Sequence, residues 1–502
     1  MTKDAGPGRS AALEMSPEEF REAGNRLVEK IAGFLSTLPE RPVSPNESPK
    51  AVRRLIGGPL PAKGEPAARL LDEAAELLFS HSLFNGHPRF WAYITSSAAP
   101  IGALGDLLAG AVNPNIGGWD LAPIATEIEL ETVRWIAELI GYPTTCGGIL
   151  VSGGNMANFV AFLAARRARA GWDVRKEGLG SHRMTLYASV ETHTWVQKAA
   201  DLFGLGTDAI RWIGVDAELC MDVAALEAAI RKDRADGAQP FLLVGTAGSV
   251  STGAIDPLPE LARVAKEHGL WFHVDGAYGG FAAALPDAPA DLKALSLADS
   301  IAIDPHKWLY APLEAGCTLV RDPEALTDAF SYSPSYYRYS ANQEEEPVNF
   351  HERGPQNSRG FRALKVWLGL KQAGRDGYVT MIGDDIRLAH ELFARAGEEE
   401  ELETSTCSLS IATFRYVPAD LRGDASAEKY LNDLNAELMK RIRASGAAWV
   451  SNALVDGKFL LRACVVNFRT TSADVASLPP LTVSLGREVD AEMRATLRAV
   501  GR

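Results

Sequence analysis

Apolar and polar positions divide the chain into three patterns. From about residue 98 to 325, helix-like runs alternate with short apolar stretches at 148–151, 185–190, 241–246, 270–274 and 300–303. Stretches this short, bounded by turn residues, read as buried strands. Their alternation with helices predicts an α/β chain with a mostly parallel central sheet and helices on both faces. After a mixed segment to about 390, strand-like pieces at 408–417 and 463–468 alternate with a helix at 427–445, predicting a smaller α+β domain. At the other end, Ser16-Pro17-Glu18-Glu19 supplies an N-cap, a proline at the first helical position and a capping-box glutamate. In the helix this starts, Phe20, Leu27, Val28, Ile31, Phe34 and Leu35 form one apolar stripe without an obvious partner nearby, so the stripe must dock elsewhere. Proline and charge between 39 and 66 predict an extended arm, and residues 1 to about 15 are expected to be disordered. The expected division is an N-terminal helical arm over 1–97, a large domain over 98–390 and a small one over 391–502.

Composition narrows the function classes. Hydrophobic residues make up 46% of the 502 positions and charged residues 23%, which argues against wholesale disorder. No apolar run reaches the roughly 18 residues of a spanning helix, and the N-terminus lacks the apolar core of a secretory signal, so a cytoplasmic protein without membrane contact is expected. A net charge of -13 opposes nucleic acid and anionic membranes as partners. Cys146, Cys220, Cys317, Cys407 and Cys464 show no CxxC spacing, so neither a disulfide framework nor a metal site is expected and the five are assigned to the core.

The chemistry-bearing residues follow the predicted strands. Lys307, in Asp304-Pro305-His306-Lys307-Trp308, lies downstream of His273-Val274-Asp275-Gly276-Ala277-Tyr278. An amine that forms a Schiff base with an aldehyde cofactor has to be fixed at a strand end, opposite a carboxylate that keeps a pyridine nitrogen protonated. Bulky neighbours desolvate a lysine, which lowers its affinity for a proton and makes it nucleophilic. Ser152-Gly153-Gly154-Asn155 opens a helix, where backbone amides and the helix N-terminus make a phosphate seat. His193 follows another strand end, where its ring can stack on an aromatic cofactor. Each residue also has a plain structural use: Asp275 as an N-cap, Lys307 as a surface lysine, the glycine pair as a turn, His193 as a hydrogen-bonded support.

Taken together, these motifs resemble the pyridoxal-phosphate-dependent group II amino-acid decarboxylases, the family of aromatic-L-amino-acid, tryptophan and glutamate decarboxylases, over about residues 16 to 480. Asn357 to Trp367 also matches a family signature. The resemblance implies the aspartate-aminotransferase-like fold (fold type I) and a homodimer with a swapped N-terminal segment and its active site at the subunit interface. It implies that Lys307 forms the internal aldimine with pyridoxal 5'-phosphate and that Asp275 pairs with the pyridinium nitrogen. His193 stacks on the ring, Ala277 packs on its other face, and Gly153, Gly154 and Asn155 hold the phosphate. Asp304 and Val250 complete the cofactor set, although relatives often hold threonine where Val250 stands. His306 sits near the substrate carboxylate, and Tyr336, in the loop segment 333–338 with Tyr337 beside it, donates the proton after carbon dioxide leaves. Trp91, Tyr93, Ile94 and Ser96 match the substrate-pocket strand, and Ile116, Gly118 and Trp119 match the loop that reaches in from the partner subunit. Packing alone also accounts for such apolar and aromatic segments. A glutamate pocket needs a basic group, and the nearby Arg89 is expected to face away. The implied reaction is therefore decarboxylation of an aromatic L-amino acid to its amine. The rivals are an oxygen-consuming aldehyde synthase, which carries phenylalanine in place of the loop tyrosine, a decarboxylase of a non-aromatic amino acid such as glutamate, and a silent relative.

Overall fold

The structure is a computed structural model that describes residues 11–332 and 347–500. Seven strands, β1 (Gly147–Val151), β2 (Met184–Ser189), β3 (Ile210–Ile213), β4 (Gln239–Thr246), β5 (Trp271–Asp275), β6 (Ser300–Ile303) and β7 (Gly316–Val320), form one sheet in the order β1-β7-β6-β5-β4-β2-β3. The five expected strands are all present. The sequence reading lacked β3, a half-exposed edge strand, and β7. Four pairings are parallel, whereas β7 runs antiparallel to both β1 and β6. The reason is local: the 304–315 connection carries no helix to cross over the sheet, so the chain turns back beside β6.

Both faces of this sheet are covered, as near-continuous apolar strands require. Phe241, Leu242 and Val244 of β4 pack with Val160 and Phe162 of the helix Gly154–Arg169, while Leu243 packs on the opposite face with Leu261 and Val264 of the helix Leu258–Glu267. A second, antiparallel sheet, β10-β11-β9-β8, comprises β8 (Leu402–Ser408), β9 (Ile411–Tyr416), β10 (Ser451–Val455) and β11 (Lys458–Cys464). The expected 408–417 piece straddles the β8–β9 turn at Leu409, and 463–468 begins at the end of β11. The expected helix is Glu428–Ala444, whose Leu431, Leu434 and Leu438 pack beside Phe414 and Leu461. The two sheets are joined by the helix Ala363–Glu398, which breaks at Gly374 (φ 65°) and runs through position 390.

At the N-terminus the helix Pro17–Thr37 starts with the anticipated capping box: Ser16 Oγ accepts from Glu19 N–H at 3.2 Å, and Ser16 N–H donates to the Glu19 carboxylate at 2.8 Å. Its stripe finds a partial partner in the helix Ala67–His81, where Phe34 stacks on Phe79 with centroids 4.5 Å apart and Asp72 pairs with Arg26 and Lys30. Phe20, Val28 and Ile31 stay exposed. The arm is not wholly extended, since 49–56 forms the helix Pro49–Ile56. Residues 87–93 dock on the second sheet: Trp91 N–H donates to the Trp449 carbonyl, and the Trp91 carbonyl accepts from Cys464 N–H, both at 2.8 Å. Cys317 and Cys464 are buried, whereas Cys146, Cys220 and Cys407 are only half-buried, so the core assignment holds for two of the five. Among the described residues no helix is long and apolar enough to cross a membrane.

Candidate active site

The carboxyl ends of parallel strands leave unpaired backbone and room for side chains, and ligands bind there in open α/β sheets. Asp275 closes β5, in register with Thr246 of β4 and Ala302 of β6. Lys307 sits on the turn after β6, His193 follows β2, and Gly153-Gly154 join β1 to the next helix. These ends surround a cavity of about 380 Å³. Its walls bring together Lys307, Asp275, His193, His306, Ala277, Gly153, Gly154, Asn155, Val250 and Asp304, joined by Ser152, Asn158, Thr246, Gly248, Tyr278 and Leu313. Val250 contributes wall, not hydrogen bonds: its loop closes through Ser249 Oγ and Thr252 Oγ1, 2.9 Å apart.

Charge in the cavity is held in fixed orientations. Asp275 is buried, its Oδ2 accepting from Trp195 Nε1–H at 2.8 Å and its Oδ1 from Ala277 N–H at 3.1 Å. Lys307 Nζ lies 3.1 Å from Asp304 Oδ2, and His306 Nε2 lies 3.7 Å from the same oxygen. His306 Nδ1 lies 2.6 Å from the Ala315 carbonyl, which can only accept, and 3.3 Å from Ala315 N–H; the shorter contact assigns the ring proton to Nδ1 and leaves Nε2 as an acceptor. Burial holds both His306 and His193 below the usual histidine value; Asp304 opposes this at His306, and Asp275 at His193.

Behind the walls runs a hydrogen-bond chain that sequence reasoning missed. Trp271 Nε1–H donates to Ser300 Oγ at 2.8 Å, and Ser300 Oγ lies 2.9 Å from His273 Nδ1. His273 Nε2 is 2.6 Å from Asn158 Oδ1, and Asn158 Nδ2 donates to the Gly154 carbonyl at 2.9 Å. With the indole able only to donate, the directions are consistent throughout: the serine donates to Nδ1, and the histidine is neutral with its proton on Nε2. Full burial pushes His273 down to about 4. Two periodicities point to this chain: His273 lies two residues before Asp275 on one strand, and Asn158 lies four after Gly154 on one helix.

The residues fit pyridoxal phosphate. The N-terminus of the helix Gly154–Arg169 opens into the cavity, a buried carboxylate stands on β5, and an amine stands on the neighbouring turn. The two glycines are required by space and geometry. Gly153 has φ 118°, and a Cβ at Gly154 would meet Asp304 Oδ2 at 2.7 Å.

The expected substrate residues do not line this cavity within one chain. Trp91 is fully buried in the core of the second sheet and Ile116 in that of the first, so both serve as packing residues. Tyr93 is exposed at φ 55°, and its carbonyl accepts from Arg462. Ile94 packs at the edge of the large core, and Ser96 Oγ donates to the His306 carbonyl at 2.7 Å. Gly118 and Trp119 form a separate turn, held where Trp119 N–H donates to Asn349 Oδ1 at 3.1 Å. Tyr336 and Tyr337 lie outside the described residues.

Residues 49–417 match the model of the pyridoxal-dependent decarboxylase conserved domain. The chain belongs to this family. It is 33% identical to an aromatic-L-amino-acid decarboxylase of Bacillus atrophaeus over 96% of this chain and 98% of that one. A phenylacetaldehyde synthase of Petunia hybrida is 29% identical over 90% of this chain and 91% of its own. Among solved structures, Oryza sativa TDC with PLP and tryptamine superposes with a TM-score of 0.89 at 28% identity, covering 96% of this chain and 99% of that one. The protein is thus a pyridoxal-phosphate-dependent amino-acid decarboxylase built on the fold of these enzymes.

Proposed function

We propose that this decarboxylase acts on an aromatic L-amino acid, releasing the corresponding amine and carbon dioxide, with Lys307 and Asp275 as the pair that makes the cofactor work. The observation that carries this reading is the single cavity that Lys307, Asp275, His193 and the Gly153-Gly154 turn share at the strand ends. An aromatic side chain is supported by the relatives named for such substrates and by the absence from the cavity lining of both Arg89, the cation nearest the matched substrate segment in sequence, and Arg462, which donates to the Tyr93 carbonyl.

When bound, pyridoxal phosphate supplies an electron sink for the pair left behind as the carboxylate departs. Lys307 would hold the aldehyde carbon through Nζ. Asp275, oriented by Trp195 and Ala277, would keep a proton on the pyridine nitrogen. His193 and Ala277 would flank the ring, and the amides of residues 152–155 with Val250 and Asp304 would complete its seat. His306 offers an unprotonated Nε2 near the substrate carboxylate. Tyr336 returns a proton from its hydroxyl to the carbon that lost carbon dioxide. Ser96 acts by holding the His306 carbonyl, and Tyr93 and Ile94 border the substrate.

In this proposal the enzyme is a cytoplasmic homodimer of arm (1–97), large domain (98–390) and small domain (391–502), free of nucleic acid and membrane. Support for the dimer comes from the helix Pro100–Val112, whose Leu104, Leu107, Leu108 and Val112 are exposed, and from the bare stripe of the first helix. The turn at Gly118 and Trp119 then faces the partner's cavity. The synthase relative favours a second reading, oxidative conversion to an aldehyde, against which Tyr336 stands. Incubation with each protein amino acid, scoring carbon dioxide, amine and hydrogen peroxide, tests both. Amine from aromatic substrates without peroxide is expected. Peroxide in step with aldehyde, or turnover of glutamate alone, would overturn the reading.

A further inference from the structure

The seat for the phosphate already contains a carboxylate. Asp304 is 2% exposed and stands against the N-terminus of the helix Gly154–Arg169, where a Cβ on Gly154 would come within 2.7 Å of Oδ2 and 3.4 Å of Cγ. Oδ2 is engaged by Lys307, whereas Oδ1 is buried and receives no hydrogen bond. A buried acceptor without a donor is costly, and one at a seat meant for an anion is doubly so. Phosphate monoester oxygens are acceptors as well, carrying nearly two charges at neutral pH with a second pKa of about 6. Two acceptors brought together need a hydrogen between them.

We propose that Asp304 makes cofactor binding proton-coupled, so that the phosphate group enters together with one proton shared between its oxygen and the Asp304 carboxylate. The inference rests on the cofactor seat assigned above. The other groups facing Asp304 do not supply that hydrogen. His306 Nε2 is an unprotonated acceptor, its proton being engaged at the Ala315 carbonyl, and Lys365 beyond it acts on His306. Cys317 of β7 is a thiol kept neutral by full burial. His193 stands across the cavity beside Asp275, whose oxygens already accept from Trp195 and Ala277. Lys307 is the amine that the cofactor's aldehyde takes, so its ammonium is no lasting counter-charge.

The test uses the full-length Lys307→Ala chain stripped of cofactor, in which no ammonium stands beside Asp304, and two probes without an aldehyde, 4-deoxypyridoxine 5'-phosphate and 4-deoxypyridoxine, so that protons exchanged at the ring cancel between them. Between pH 7 and 8.5 the Kd of the phosphorylated probe should rise about tenfold per pH unit relative to the unphosphorylated one, as linkage to one proton requires. With Asp304→Asn added that ratio should stay flat, and the double variant should bind the phosphorylated probe more tightly than Lys307→Ala alone at pH 8.5, which a merely damaged site would not do. Asp304→Ser should behave like Asp304→Asn. A flat ratio in Lys307→Ala means that the phosphate binds as a dianion and overturns the proposal, as does a slope that survives in both double variants, which would put the proton on His306. Failure of Lys307→Ala to bind either probe would instead remove the seat itself, and the proposal with it.

Discussion

Among individual residues, His273 shows how a side chain with no assigned chemistry sets the terms for those that have it. Its ring joins Ser300 to Asn158, and through Asn158 it fixes the carbonyl of Gly154 at the cavity wall. Full burial makes it pay for protonation, with its value moved from 6.5 to about 4. The folded state therefore binds fewer protons here than the unfolded chain in that interval, so stability rises with pH across it and is lost as pH falls from 6.5 towards 4. Between pH 7 and 4.5 the residue should contribute on the order of 2–3 kcal/mol to the loss. Urea denaturation at the two pH values checks this: the fall should be smaller by that amount in His273→Gln, and an equal fall in variant and wild type would refute the assignment. Lys307 and Asp275 were legible in the sequence because each follows an apolar run and has a polar task that its neighbours do not share. His273 was legible as a letter only, since its partner Asn158 lies 115 positions away.

Structural elements meet the site through one buried ion pair. Arg359 and Glu129 are both fully buried, with Arg359 Nη2 and Glu129 Oε1 2.5 Å apart. Arg359 also donates to the Leu150 carbonyl at 2.7 Å and the Ile116 carbonyl at 3.2 Å, and Glu129 accepts from Leu150 N–H at 2.9 Å. The pair thus ties the helix Pro123–Leu139, β1 and the 115–119 turn together behind the phosphate seat. Removing one partner leaves an uncompensated buried charge, so Arg359→Met should cost about 3–5 kcal/mol in unfolding free energy, and adding Glu129→Leu should recover part of it. A single variant within 0.5 kcal/mol of wild type, on the scale of an ordinary surface change, would contradict the role. Such pairs escape sequence reading because 230 positions separate the partners. The same holds for β7, a five-residue strand whose direction is decided by a helix-free return, and for β3, only four residues long, where Arg211 interrupts the apolar signal of an edge strand. Strands with long apolar runs and helices with strong caps, such as Pro17–Thr37, were plain from the letters alone.

For the molecule as a whole, the proposed function calls for two chains per working unit. One chain leaves the helix Pro100–Val112 with leucines roughly half exposed, and its 115–119 turn does not line its own cavity. A C2 dimer in which each turn completes the other's site allows complementation. Mixing Lys307→Ala with Trp119→Ala, unfolding and refolding together at equal amounts, should restore about a quarter of wild-type activity, because half the dimers are hybrids with one intact site in two. Activity no higher than that of the two variants alone would mean that each chain is self-sufficient. The central claim, that Lys307 opposite Asp275 anchors the cofactor, has a more direct test. Reduction of the loaded enzyme with borohydride, digestion and peptide mass mapping should find the phosphopyridoxyl mass on Lys307 alone, and none in Lys307→Ala. The same mass on another lysine, or an undiminished adduct in the variant, would contradict the account.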